Sequence, residues 1–141
     1  MFVVPLALCS IPLFVIDVRE HRLPNRWNAA LAGGGLVVNG IVAWSRSSVE
    51  PFVAAVGVGF AGLLGMFALH WVTRGGLGLG DVKLVGALGC GIADPLLLFI
   101  VVFAAFMLAG MWVIVGRYRR GTRVAFGPFL LAGAWLGVAL S

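Results

Sequence analysis

Two aspartates carry the chemistry this sequence offers. Asp17 closes the first apolar run, and Asp81 follows the glycine-rich stretch Gly75-Gly76-Leu77-Gly78-Leu79-Gly80. Only five of the 141 residues are acidic, so these two stand out. A carboxylate at the edge of a hydrophobic segment is expensive to keep and usually marks a functional site. Two carboxylates held close together share one proton, because like charges at that distance do not both stay ionised. One then acts as a base toward water and the other as an acid toward a carbonyl. That is aspartyl-protease chemistry, and it requires the fold to bring positions 17 and 81 together.

The elements that must position them follow from composition. Apolar residues make up 62% of the chain and charged residues 11%, and mean hydropathy is +1.10. A soluble domain carries about 25% charged residues. The chain is read as an integral membrane protein, helical or a closed barrel. Its apolar runs are continuous and do not alternate, which selects helices. The expected fold is an all-α polytopic bundle, with helices at about 2–16, 27–44, 52–72, 82–93, 95–116 and 125–140, forming one membrane-embedded domain over residues 1–141. The fourth segment is short for a span. It either extends past Asp94-Pro95, tilts, or is shielded by its neighbours.

Charge chooses the topology. With six spans, one side holds Arg19, Arg22, Arg26, Arg74, Lys83, Arg117, Arg119, Arg120 and Arg123, nine of the ten positive residues, and the other side holds Arg46. That bias matches the positive-inside rule. A continuous helix over 82–116 would place the 117–123 cluster outside and remove the bias. Both termini are therefore expected outside. Asp17 and Asp81 then fall at the same cytoplasmic face, and Glu50 and Asp94 at the opposite one.

Other residues have plainer readings. Asp81 is a good N-cap for the fourth helix. The glycine run is neither a Walker loop nor a dinucleotide fingerprint. Pro24 stops the preceding loop from continuing as helix, and Asn25 caps the second helix. Pro128 suits the first turn of the sixth helix. Gly57, Ala61 and Gly65 on the third helix, and Gly86, Gly89, Cys90 and Ala93 on the fourth, are small residues spaced for close helix packing. Cys9 and Cys90 read as packing residues and His70 as an interfacial anchor. Neither cysteines nor histidines form a metal set. The start of the chain lacks the positive region of a signal peptide and reads as a retained helix.

Taken together, Asp17 with Leu23-Pro24-Asn25, then Gly78-Leu79-Gly80-Asp81-Val82-Lys83-Leu84, then Phe126-Gly127-Pro128-Phe129 resemble the type IV prepilin peptidase family, membrane aspartyl proteases of the Gly-x-Gly-Asp class. The resemblance implies that Asp17 and Asp81 are the catalytic pair. It implies supporting roles for Gly78, Gly80, Lys83, Pro24, Asn25, Phe126, Gly127 and Pro128. It also implies a substrate, the N-terminal leader of a pilin-like or preflagellin-like precursor, cut at the cytoplasmic face of the inner membrane. Larger bacterial members also methylate the new N-terminus, using an extra region with paired CxxC motifs. The 17–26 loop here has no cysteine, so a peptidase alone is expected.

No cofactor, metal or nucleic-acid partner is expected; membrane lipid is. The 75–80 backbone is read as a possible edge for an extended substrate. The oligomeric state is not indicated. Two rival functions stay open on the residues alone: a small proton or ion transporter, and a non-catalytic membrane factor of pilus assembly.

Overall fold

The computed structural model describes residues 2–20, 25–74, 77–115 and 126–140. Among them the regular structure is helical: α1 (Val3–Glu20), α2 (Asn25–Ser45), α3 (Glu50–Val72), α4 (Leu79–Ile92), α5 (Pro95–Val115) and α6 (Gly127–Leu140). The six expected helices all form. Two ends move in a way that matters for the site. α1 runs on to Glu20, so Asp17 lies within its last turns. α4 begins at Leu79, so Asp81 lies inside its first turn.

Three helices, α2, α3 and α5, are long and apolar enough to cross a membrane. Their outer faces carry exposed aromatic residues, among them Phe60, Phe67, Phe99 and Phe103. Trp27, Trp71 and Trp112 are exposed toward one end of the bundle and Trp44 toward the other. Bulky apolar groups over the middle with tryptophans toward the ends are the surface of a membrane protein.

The short helix α4 sits at the centre. It packs chiefly on α3 and α2 and also touches α5 and α6. Nine of its 14 residues are buried. Neighbours shield it, which explains how so short a segment with a charged first turn keeps its place. The close fit is set by glycine: a methyl group added at Gly89 would lie 2.8 Å from both Gly59 Cα and the Val58 carbonyl oxygen. The expected small-residue stripe on α3 is off by register. Gly57 and Gly65 have nothing within 4 Å of an added methyl, and α3 meets α4 through Gly59 and Gly62 instead.

α4 ends at Ala93, whose left-handed φ of 55° lets its N–H close onto the Gly89 carbonyl at 3.0 Å. Asp94 then caps α5, its Oδ1 accepting from the amides of Leu96 and Leu97 at 2.8 and 3.0 Å, and Pro95 opens that helix. One continuous helix over 82–116 is therefore ruled out. At the same end, Asn39 of α2 donates through Nδ2 to the carbonyls of Cys90 and Gly91 at 3.0 and 3.2 Å. These are carbonyls that a helix terminus otherwise leaves unpaired.

Candidate active site

Asp17 faces inward because of its register. From Phe2, just before α1, the buried residues run Leu6, Cys9, Leu13 and Asp17, spaced by three or four. That is one helical face, and Asp17 is its last position among the described side chains. Its side chain is 5% exposed. Asp81, 8% exposed, reaches the same end of the bundle from the start of α4. Gly78 is the N-cap of α4, and Asp81, three residues on, bonds back to the Gly78 backbone. This is the acidic half of a capping box, so Asp81 is not itself the cap, as the sequence suggested. The charge of Asp17 acts directly on the Asp81 carboxyl group. The two carboxyl groups are thus buried, at one end of the bundle and electrostatically coupled.

Several supporting residues converge around them. Lys83 Nζ donates to Asn25 Oδ1 at 2.9 Å, tying α4 to the first residue of α2. The Asn25 carboxamide therefore bridges two helices, where the sequence suggested a cap for α2. Asn28, one turn further along α2 and 4% exposed, donates through Nδ2 to the Gly80 carbonyl at 3.4 Å. His70 is within 2.6 Å of the Leu77 carbonyl through Nδ1. A carbonyl only accepts, so this nitrogen carries the proton. His70 thus fastens the α3–α4 loop, a more specific role than an interfacial anchor.

The loop itself is less available than its glycines suggest. The Leu77 carbonyl is held by His70. The Gly78 carbonyl accepts from the amides of Asp81 and Val82 at 3.1 and 3.3 Å. The Gly78 backbone is also engaged by the Asp81 carboxylate. These bonds occupy the carbonyls of Leu77 and Gly78 and help to fix the start of α4. Gly75, Gly76 and Pro24 lie outside the described residues.

The third motif sits on the other side of α4. The Phe126 carbonyl accepts from the amides of Phe129 and Leu130 at 3.1 and 3.2 Å, which starts α6 with Gly127 and Pro128 in its first turn. The Phe126 ring packs on Phe106 of α5, with centroids 4.7 Å apart. Its described contacts brace α5 against α6. Sequence reasoning missed Asn28 altogether. The available signal was a second asparagine three residues after Asn25, on the helix face continued by Leu31 and Gly35.

Residues 4–114 match the family model described as the type IV leader peptidase family. The chain belongs to this family. Both aspartates fall inside the matched range, and Phe126-Gly127-Pro128 falls beyond it. Leader peptidase HopD of Salmonella typhimurium is 34% identical over 136 residues, which cover 90% of this chain and 84% of HopD. A prepilin leader peptidase/N-methyltransferase of Dickeya chrysanthemi is 30% identical over 139 residues, covering 93% of this chain and 47% of that protein. Its counterpart in Pectobacterium carotovorum is 29% identical, with 92% and 47% covered. The chain thus spans about half the length of the two methyltransferase-bearing relatives. No solved structure matches it.

Proposed function

We propose that this type IV leader peptidase family member is an aspartyl endopeptidase that removes the N-terminal leader from a pilin-like or preflagellin-like precursor. The observation that carries the reading is the coupled, buried pair Asp17 and Asp81 at one end of the helical bundle. The names of the relatives support the substrate class. In this reading the pair shares one proton. The ionised carboxylate takes a proton from water as the water oxygen bonds to the scissile carbonyl carbon. The protonated partner gives its proton to the carbonyl oxygen. Collapse of the tetrahedral intermediate breaks the C–N bond, and the nitrogen leaves with a proton returned by the pair. No metal is needed for this sequence of steps. Methyl transfer is not assigned to any residue of the chain.

The remaining topology belongs to the same proposal: six spans in the cytoplasmic membrane, both termini outside, and the aspartate end facing the cytoplasm. Helix order and the positive charges flanking that end support it. The test is cleavage of a precursor co-reconstituted with the protein in liposomes, read by mass spectrometry of the new N-terminus. A defined cut before the apolar helix that disappears in Asp17→Asn and Asp81→Asn is the expected result. Proton flux without cleavage would replace the reading with transport.

A further inference from the structure

α2 grips α4 at both ends with asparagine amides. At the carboxyl end, Asn28 Nδ2 donates to the Gly80 carbonyl at 3.4 Å. At the far end, Asn39 Nδ2 meets the Cys90 and Gly91 carbonyls at 3.0 and 3.2 Å, and the Gly35 carbonyl of its own helix at 3.1 Å. The spacing of the two grips matches. Asn28 and Asn39 are eleven residues apart on α2, and Gly80 and Gly91 are eleven apart on α4. Eleven residues make about three turns and about 16 Å. Both amides therefore lie on one face of α2, and the two helices run side by side in the same direction. Between the grips, Gly35 of α2 lies against α4, where an added methyl would come 2.7 Å from the Gly91 nitrogen. The described side-chain hydrogen bonds that join α4 to another helix all run to α2.

The same helix carries α1. Pro5 sits against Gly34 of α2, where an added methyl would lie 2.6 Å from the proline Cβ. Among the described residues the backbones of α1 and α4 do not pack on each other, whereas α2 packs on both. α6 touches both as well, but the hydrogen bonds that hold α4 come from α2. We propose that α2 is the rail that aligns the two carboxyl groups, and that Asn28 and Asn39 are positioning residues that set where α4 stands along it. This rests on the leader-peptidase reading of the pair and adds what fixes its geometry. A slide of α4 by one residue is about 1.5 Å and has to break both grips at once. The Lys83–Asn25 bond is exposed, and the long lysine arm follows such a slide. Stability does not account for Asn28. Its Oδ1 is buried with no hydrogen-bond partner among the described residues, and a buried, unmet acceptor lowers stability. What Asn28 supplies is a donor to the residue just before Asp81.

The test is leader release by the full chain in liposomes, with kcat and KM separated, in Asn28→Leu, Asn39→Leu and the double variant. One remaining grip still holds α4 along its axis. Each single variant should therefore lower kcat about threefold and leave KM within about twofold. Losing both grips frees the slide, and the double variant should lower kcat about 100-fold. Independent sites this far apart would multiply to only about ninefold. Asn28→Leu alone should not lower the denaturation midpoint, because it removes the unmet Oδ1 together with the bond. Where the leucine pair prevents folding, Asn28→Ser with Asn39→Ser repeats the comparison, since those hydroxyls bond back within α2 and fall short of α4. A double variant no worse than the product of the singles, a loss that lies in KM, or a midpoint that falls in step with kcat in Asn28→Leu overturns the rail and spares the peptidase. Absence of wild-type cleavage overturns the peptidase reading and this inference with it.

Discussion

Replacing Gly89 by alanine should cripple catalysis from a distance. The added methyl would sit 2.8 Å from Gly59 Cα, 2.8 Å from the Val58 oxygen and 3.0 Å from the Gly59 nitrogen, all backbone atoms of α3. No side chain can turn aside to relieve this. Carbon atoms rest about 3.5–4.0 Å apart, so α3 and α4 must separate by roughly 1 Å. Overpacking of this kind costs about 1–3 kcal/mol, while alanine returns about 0.8–1 kcal/mol of helix propensity. The net loss of stability is thus about 0–2 kcal/mol, and the protein stays folded. Asp81 lies eight residues away on the same helix, about 12 Å. α4 moves as a rod and carries Asp81 relative to Asp17. A displacement near 1 Å costs about 100-fold in rate, so precursor cleavage should fall by about 10- to 100-fold. Gly65→Ala, with nothing within 4 Å of its added methyl, is the matched control and should cleave like wild type. The assay is initial rate of leader release in liposomes, paired with a denaturation midpoint. Wild-type turnover in Gly89→Ala, or equal losses in both variants, would show that α3–α4 spacing does not set the carboxyl geometry.

Three further outcomes follow from the structure. Asp17→Asn and Asp81→Asn should each lower leader cleavage by about 1000-fold or more, since a general acid or base is worth about 100- to 10,000-fold and neither partner replaces the other; Asp94→Asn, whose side chain still caps α5, should retain most activity. His70→Ala should reduce cleavage about fivefold by releasing the Leu77 carbonyl, a bond worth about 1 kcal/mol, and His70→Asn should restore much of the loss because its amide can donate from a similar position. With the proposed topology, an impermeant thiol reagent added outside the cell should label Ser47→Cys and leave Glu20→Cys and Arg120→Cys untouched; labelling of Arg120→Cys would remove one span.

Much of the site was legible because helix periodicity and residue cost point the same way. Asp17 continues the inward face of α1, so its direction followed from spacing alone once α1 was known to extend past it. Asp81 was marked by its isolation among apolar residues. Its role as the third helical residue, tied back to Gly78, was not legible, since helix starts shift by a turn without changing the pattern. The α3 stripe went wrong for a related reason. α3 carries small residues on two faces, at 57, 61 and 65 and at 59 and 62, and sequence cannot say which one meets a neighbour. Asn28 was hidden because a lone amide in an apolar helix looks like tolerance until its partners are known.

The enclosure of α4 bears on how the protein is made. At 14 residues it is about 21 Å long, short of the ~30 Å hydrocarbon layer, and it carries Asp81 and Lys83 in its first turns. An inserting machinery that judges segments singly would not release it into lipid. It gains acceptance only when α3 and α2 already stand beside it, offering glycine surfaces and the Asn39 amide for its terminal carbonyls. The helix bearing one of the two carboxylates therefore enters late, as the return arm of a hairpin with α3. The two carboxyl groups meet only when the bundle closes, so in the proposed reading a chain halted midway through synthesis holds two inert aspartates.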